Sequence, residues 1–141
     1  MNVAFLDLKA MHVELKSKLS VAYERVVGSG IFINGNELHQ FEKEFSDYCE
    51  VGDCVGVGNG LDALHLILRG YDIGVGDEVI VPSNTFIATW LAVSHAGAKP
   101  IPVEPDENTY NLNPLKIESA ITSRTKAIIA VHLYGQPCDM D

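Results

Sequence analysis

The first fifty residues place apolar positions at helical spacing. Between residues 10 and 27, apolar residues recur at steps of three and four with charged residues opposite them: Met11, Leu15, Leu19, Ala22 and Val26. This stripe predicts an amphipathic helix, which the glycines of residues 28–30 should end. After Asn36, a residue type that caps helices, a second helix is predicted, with an apolar face of Leu38, Phe41, Phe45 and Tyr48. Residues 1–50 are therefore expected to be a helical segment.

From residue 51 onward, short β-branched runs alternate with helical segments. The strand candidates are residues 54–57, 78–81, 99–103 and 126–132, and the helix candidates are residues 61–69, 84–95 and 113–121. Pro100 and Pro102 remove ladder donors, which predicts that the third strand lies at an edge. This alternation is typical of parallel strands joined by right-handed crossovers. The predicted fold class is α/β, with a mostly parallel sheet and flanking helices.

Length and charge narrow the function classes. A chain of 141 residues predicts one domain with its own core. The formal net charge of −9 disfavours nucleic acid and anionic lipid as partners, because both bind positively charged surfaces. No basic N-terminal region precedes an apolar stretch, and no apolar run approaches the ~18 residues of a membrane span. These features predict a cytoplasmic protein with neither a nucleic-acid nor a membrane partner.

The residue types that usually bind metals form no recognisable pattern. The cysteines, Cys49, Cys54 and Cys138, follow neither a zinc motif nor a disulfide framework, and we interpret them as buried small hydrophobic residues. The five histidines are scattered along the chain. No metal site is predicted.

The clearest candidate for chemistry is the glycine loop Gly58-Asn59-Gly60-Leu61-Asp62, which follows the first predicted strand. Ligands of parallel sheets bind beyond the carboxyl ends of the strands, where this loop lies. One interpretation is that the unpaired amides of Gly60, Leu61 and Asp62 bind a phosphate at the positive end of the helix dipole. The other is that Asn59 caps the helix, with Asp62 as its partner, and the glycines only form a turn. The local sequence favours neither.

The same loop fits the dinucleotide-binding fingerprint, with Ala63 at its last position. That fingerprint needs an acidic residue near the carboxyl end of the second strand to bind a ribose. Here Asp77 and Glu78 lie at the beginning of that strand, and its end reads Val-Pro-Ser-Asn. A nucleotide-binding Rossmann-like domain is therefore only an alternative.

Two further segments follow predicted strands at the same edge. Phe86 could stack on a flat cofactor whose phosphate binds the glycine loop, but Phe86 and Trp90, four residues apart, fit core positions better. We interpret His132 as a strand-end residue with satisfied hydrogen bonds rather than as an acid-base group. Asp106 and Asp139 are expected to be solvated or to cap turns.

Together these segments resemble the DegT/DnrJ/StrS family of pyridoxal-phosphate-dependent sugar-nucleotide aminotransferases. The resemblance covers the whole chain. It is carried by residues 5–8 (FLDL), 41–45 (FEKEF), 58–64 (GNGLDAL), 76–86 (GDEVIVPSNTF), 109–112 (TYNL), 124–128 (RTKAI) and 131–137 (VHLYGQP). The form NGLDAL, followed by LRGY, is most similar to members that aminate a 3-keto-6-deoxy sugar attached to dTDP.

The resemblance implies roles for three residues. In this family the loop at Gly60 and Leu61 holds the phosphate of pyridoxal 5'-phosphate through backbone amides, and the aromatic residue at the position of Phe86 stacks on the pyridine ring. Members often carry a hydroxyl residue where this chain has Leu61, so the amide donor is kept here and the hydroxyl is lost. Residues 31–34 resemble a segment near the sugar substrate and the dimer partner.

The resemblance also implies where the remaining groups lie. Transamination needs a lysine for the internal Schiff base and a carboxylate beside the pyridine nitrogen. In the family both follow the segment that matches Gln136, so the lysine is expected downstream of Asp141 and no catalytic residue is assigned within the chain. We expect residues 1–141 alone to be without aminotransferase activity.

The implied fold is the N-terminal part of a fold-type I large domain, with residues 51–141 as its first βα units. In that domain the first strand does not neighbour the second, third or fourth. Residues 54–57 are therefore expected to be unpaired on at least one side, unless the sheet is rearranged.

The implied function is transfer of an amino group, from glutamate, to a nucleotide-linked keto sugar, with dTDP-keto-6-deoxyhexose as the expected substrate. Such a reaction serves deoxyamino-sugar or surface-polysaccharide biosynthesis, and the enzyme is expected to be a homodimer. A non-catalytic binding or assembly module is the alternative from another class, and the missing lysine favours it if 141 residues is the natural length.

Overall fold

The computed structural model of the protein describes residues 3–140. Met1 and Asn2 of the predicted segment 1–50, and Asp141 of the predicted segment 51–141, lie outside the described residues. The chain divides into two compact units, the first ending at Gly56 and the second beginning at Val57. The first unit contains helices α1 (Lys9–Ser29) and α2 (Asn36–Tyr48). Both predicted helices of this segment are thus confirmed.

The ends of these helices are set by glycines. Gly30 adopts a left-handed conformation with φ 68°, and its N–H donates to the Val27 carbonyl, which closes α1. The cap of α2 is Gly35, with Asn36 as the first helical residue, so the prediction that Asn36 caps this helix is wrong. Arg25 of α1 donates two hydrogen bonds to Glu37 of α2, at 2.6 and 2.9 Å.

The predicted apolar stripe of α1 is not buried within the described chain. This helix contains no buried residue, and Met11 and Leu19 are each half exposed. On α2, Phe41 and Phe45 touch each other with ring centroids 5.5 Å apart, yet both stay exposed by about half. Sequence periodicity predicts a helix and its apolar face, but it does not predict which part of a protein covers that face.

The second unit is an α/β layer. Its helices are α3 (Gly60–Gly70), α4 (Ile87–His95) and α5 (Pro114–Ile117), its strands are β1 (Glu78–Pro82), β2 (Lys99–Val103) and β3 (Thr125–Ile128), and its short 3-10 turns are Glu118–Ala120 and Leu133–Gly135. The strands form a parallel sheet in the order β2-β1-β3. The predicted α/β class is confirmed, and β2 lies at an edge as its two prolines predict.

The core is built on both faces of the central strand. Val79 and Val81 of β1 are fully buried against α3 and α4, where Leu68, Ala92 and Val93 pack. Ile80 points to the opposite face and packs with Val103 and Leu112. Side chains alternate between the two faces of a strand. Because both faces of β1 are buried, its sequence is a continuous apolar run, and the sheet lies between two packed layers.

Four predicted elements differ from the structure. Residues 54–57 form no strand and pair with no other strand of the described chain, which agrees with the expectation that this segment does not neighbour the three strands present. The strand predicted to reach residue 132 ends at Ile128. Ile129 still donates to the Ile80 carbonyl at 2.9 Å, but Pro82, the next residue of β1 facing β3, has no N–H to continue the ladder.

The two remaining differences are at helix boundaries. The helix predicted from residue 84 begins at Ile87, because Phe86 is extended and serves as its cap. The helix predicted over residues 113–121 is α5 followed by the 3-10 turn. Its predicted start is confirmed: the Asn113 side chain accepts a hydrogen bond from the Leu115 N–H, and Pro114 occupies the first turn.

Candidate functional site

A cavity of about 830 Å³ lies at the carboxyl edge of the sheet, and we name it the carboxyl-edge cavity. It is lined by residues from the start of α3, from the segment that leads into α4, and by Val131 and Leu133 after β3. Gly60, Leu61 and Phe86 all line it. The three residues singled out from the sequence are therefore brought together, where ligands of parallel sheets bind.

The start of α3 combines a side-chain cap with free amides. Asn59 Oδ1 accepts a hydrogen bond from the Asp62 N–H at 2.9 Å, and Asn59 Nδ2 donates to Asp62 Oδ2 at 3.0 Å. The capping interpretation is thus confirmed. Of the three N–H groups predicted to be unpaired, that of Asp62 is therefore paired. In the part of the chain that the structure describes, nothing accepts from the N–H groups of Gly60 and Leu61. The cap and two open donors coexist at the positive end of the helix dipole.

The two glycines that flank Asn59 serve different purposes. A Cβ at Gly58 would lie 2.9 Å from Asp62 Oδ2, so a side chain there would push this carboxylate away from Asn59 Nδ2. A Cβ at Gly60 would meet nothing within 4 Å. The space beside the Gly60 Cα is therefore open, and backbone there can be approached closely.

Phe86 is 77% exposed, although it was expected to be a core residue. Helix α4 begins at Ile87, one residue after Phe86, so Phe86 is not on the buried face of the helix as Trp90 is. Trp90 does pack against the core, and its indole N–H donates to the Pro82 carbonyl at 3.1 Å. The core interpretation is wrong for Phe86 and confirmed for Trp90, and an aromatic ring faces the cavity.

Thr85 and Thr89 also line the cavity, and the sequence analysis did not single them out. Their hydroxyl oxygens are 2.9 Å apart and share one hydrogen bond. Val131 and Leu133 were missed, since apolar residues after a strand carry no chemical signal of their own. The cavity walls are mostly apolar, with polar groups confined to a few positions, as in small-molecule sites generally.

The segment after β3 places His132 as expected. The Cys138 N–H donates to His132 Nδ1 at 2.9 Å, so Nδ1 is an acceptor and the ring proton is on Nε2. His132 thus has the satisfied hydrogen bond that was expected, but β3 ends at Ile128, so the prediction that His132 ends a strand is wrong. Cys138 is buried, as predicted, but Cys49 is exposed and Cys54 is partly exposed.

Asp106, in the loop after β2, organises that loop. Its carboxylate accepts from the backbone N–H groups of Asn108, at 2.9 Å, and Thr109, at 3.2 Å. These two bonds lower the pKa of Asp106 below its ordinary value, against the opposing effect of desolvation. The predicted turn-capping role is confirmed.

Two other kinds of feature, a metal site and a membrane-spanning helix, are absent from residues 3–140. That range contains no cluster of three or more His, Cys, Asp or Glu side chains able to bind a metal ion. None of its helices is long and apolar enough to cross a membrane.

The geometry fits a planar, phosphorylated cofactor. Two free amides at the start of an 11-residue helix can bind a phosphate dianion without a basic side chain. The exposed ring of Phe86 in the same cavity offers a stacking surface for a flat heteroaromatic ring. No lysine is found among the described residues that line this cavity.

Two solved structures resemble this chain closely. DesV of S. venezuelae, in complex with a ketimine intermediate, superposes with a TM-score of 0.94 and 57% identity, covering 98% of this chain and 37% of DesV. NtdA of Bacillus subtilis, with bound cofactor PMP, gives a TM-score of 0.90 and 39% identity, covering 99% of this chain and 32% of NtdA. The chain has the fold of the corresponding part of these proteins.

Sequence relatives agree with the structural ones. A dTDP-3-amino-3,6-dideoxy-alpha-D-galactopyranose transaminase from Aneurinibacillus thermoaerophilus is 58% identical over 139 residues, 99% of this chain and 38% of the relative. A dTDP-3-amino-3,4,6-trideoxy-alpha-D-glucose transaminase from Streptomyces venezuelae is 58% identical over 140 residues, 99% of this chain and 37% of the relative. The chain thus spans less than two fifths of their lengths. Since residues 14–141 also match the family's own sequence model, this chain belongs to the DegT/DnrJ/EryC1/StrS aminotransferase family.

Proposed function

We propose that the carboxyl-edge cavity binds pyridoxal 5'-phosphate and that the chain supplies the phosphate and ring subsites of a sugar-nucleotide aminotransferase. The observation that carries this proposal is the meeting of Gly60, Leu61 and Phe86 in one cavity. The amides of Gly60 and Leu61 have no protein acceptor, and the ring of Phe86 is exposed rather than packed. The helix end therefore binds the phosphate, and Phe86 covers one face of the pyridine.

Each of these residues acts by binding and orientation. The helix dipole and the two N–H groups hold the phosphate and so fix one end of the cofactor. Phe86 sets the plane of the ring, and the apolar side chains of Leu64, Leu91 and Leu133 limit the access of water. When bound, pyridoxal phosphate supplies an aldehyde that condenses with amines and a ring that acts as an electron sink.

Leu61 departs from the hydroxyl residue that is frequent at this position in the family. Its backbone N–H can still donate, but its side chain adds an apolar wall to the cavity instead of a hydroxyl donor. In the described lining, Thr85 and Thr89 offer hydroxyl donors that could serve a phosphate, beside the Asn59 amide that already donates to Asp62.

The proposed reaction is transfer of an amino group from glutamate to a nucleotide-linked keto sugar. The substrate class is supported by the two relatives named as dTDP-amino-sugar transaminases, each 58% identical to this chain. We place the activity in the cytoplasm and in a homodimer, and assign it to deoxyamino-sugar or surface-polysaccharide biosynthesis. We assign no Schiff-base lysine among the described residues that line the cavity.

A calorimetric titration tests the cofactor proposal directly. Pyridoxamine 5'-phosphate is the probe, because it lacks an aldehyde and cannot react with surface lysines. We expect saturable binding of one molecule per chain, weaker binding of inorganic phosphate at the same site, and weaker binding still of pyridoxamine, which lacks the phosphate. Tighter binding of a nicotinamide dinucleotide than of pyridoxamine phosphate would contradict the proposal and favour the nucleotide-binding alternative.

A further inference from the structure

The most extensively bonded polar side chain near the carboxyl-edge cavity is that of Asn111, in the loop between β2 and α5. It is 3% exposed. Its Oδ1 accepts from the Leu133 N–H at 3.0 Å, and its Nδ2 donates to the carbonyls of Gln136 and Pro137, each at 3.0 Å. One amide group thus ties a loop after β2 to a segment more than twenty residues later, after β3.

The segment that Asn111 holds is conformationally unfavourable. Tyr134 lies in the left-handed region with φ 56° and ψ 22°, and Gly135 follows with φ 81°. A left-handed non-glycine residue persists only where its surroundings enforce it. The Leu133 N–H needs an acceptor, while the Gln136 and Pro137 carbonyls need donors. Only an uncharged carboxamide of this size supplies both kinds of group.

A second contact anchors the loop that carries Asn111. Asn84, in the segment after β1, donates through Nδ2 to the Tyr110 carbonyl at 2.9 Å. Tyr110, the residue before Asn111, is itself left-handed with φ 60°. The loops after β1, β2 and β3 are therefore linked in series, with Asn111 as the connection between the second and the third.

This chain of bonds ends at the cavity. Leu133, whose N–H is bound by Asn111, lines the carboxyl-edge cavity together with Val131. Asn111 itself is not part of the lining. We infer that Asn111 is a positioning residue that holds the Leu133 wall of the cavity in place and thereby sets the affinity for the ring of the cofactor. This inference rests on the proposed function, since it assumes that the cavity binds pyridoxal phosphate.

The test uses Asn111→Asp, which keeps the acceptor for Leu133 and places a carboxylate oxygen against the Gln136 and Pro137 carbonyls. We expect pyridoxamine 5'-phosphate to bind about tenfold more weakly, the size of effect that loss of a buried donor produces. Inorganic phosphate, which needs only the start of α3, should bind as it does to the original chain. A purely structural defect would weaken both ligands alike, and that result would overturn the inference.

The matched control is Asn113→Ala, in the same loop. Asn113 caps α5 by accepting the Leu115 N–H and has no bond to the segment after β3. This variant should lose some folding stability but bind pyridoxamine phosphate within twofold of the original chain, as expected when only a helix cap is lost. Weaker binding equal to that of Asn111→Asp would also overturn the inference.

A measurement on the unmodified chain covers the case in which Asn111→Asp fails to fold. Amide hydrogen exchange of Leu133 should slow when pyridoxamine phosphate binds, while that of Leu115 should not change. Unchanged exchange at Leu133 while the ligand binds would refute the positioning role and leave the proposed function intact. Absence of binding to the unmodified chain would instead refute the proposed function, and the inference with it.

Discussion

The two ends of the parallel sheet use their polar groups in opposite ways. At the amino end, the carboxylate of Glu78 accepts from the Thr122 hydroxyl at 2.6 Å and from Arg124 at 2.6 and 3.0 Å. Glu78 is only 2% exposed, so its carboxylate is bonded within the chain and is not available to a ligand. At the carboxyl end, the amides of Gly60 and Leu61 have no acceptor among the described residues, and Phe86 is exposed.

This difference separates stabilising residues from binding residues. A buried charge that is bonded within the chain is destabilising to disrupt, because removing one partner leaves the other unpaired, and it offers nothing to a ligand. Donors that point into an open cavity contribute little to folding and are available to a ligand. In residues 3–140 no buried side-chain nitrogen or oxygen lacks a hydrogen-bond partner, so the unused donors at the start of α3 stand out.

The largest expected effect is at the amino end, from Glu78→Ala. Removing the carboxylate leaves Thr122 and Arg124 without their acceptor, so the melting temperature should fall by roughly 5–10 °C, measured by circular dichroism. The matched control is Glu107→Ala, because Glu107 is exposed and its removal should change the melting temperature little. A melting temperature for Glu78→Ala equal to that of the control would show that the amino end does not stabilise the sheet.

The same carboxylate gives the sheet a pH dependence. The bonds from Thr122 and then from Arg124 lower the pKa of Glu78 below its ordinary value of 4.5. A lowered pKa in the folded state means that its stabilisation is complete above pH 4.5 and is lost as the pH falls through the folded value. Acid unfolding followed below pH 5 should therefore be shallower in Glu78→Ala than in the original chain.

The next effect concerns the carboxyl end, from Gly60→Pro. Proline is well accommodated in the first turn of a helix, and Asn59 before it is already extended, with φ −167°. The change removes one free N–H, so pyridoxamine phosphate should bind about tenfold more weakly while the melting temperature stays the same. Gly60→Ala keeps the N–H and adds a methyl group to open space. An equal loss in both variants would point to steric obstruction rather than to a missing donor.

The smallest effect is expected from Phe86→Ala. Loss of a stacking ring should weaken pyridoxamine phosphate binding about fivefold. Because Phe86 is 77% exposed, stability should hardly change, in contrast to the amino end. Phe86→Tyr retains the ring and should bind as the original chain does. Full affinity in Phe86→Ala would remove Phe86 from the site.

The sequence predicted best what depends on neighbouring residues. The start of α5 at Asn113 and the cap of α3 by Asn59 follow from local chemistry, and the structure confirms them. Gly60 and Leu61 were likewise identified as donors from the turn and helix alone. Local rules suffice where the partner lies within about four residues.

Other errors lie where the partner is distant in the sequence. Residues 54–57 have strand-like composition, but a strand forms only beside another strand. None of the three described strands pairs with these residues. The length of β3 is set by Pro82 on the neighbouring strand. The bonds of Asn111 span 22 to 26 residues, and no spacing rule could have found them.

The prolines of β2 determine the direction in which this sheet can be extended. Lys99 donates to the Asp77 carbonyl and Val103 accepts from the Ser83 N–H, so alternate residues of β2 face β1. Pro100 and Pro102 therefore face outward, where an added strand would find no donor. The outward positions of β3, Lys126 and Ile128, keep their N–H groups. The outer edge of β2 therefore lacks backbone N–H donors, whereas the outer edge of β3 keeps them. Any further strand of this sheet must join beside β3.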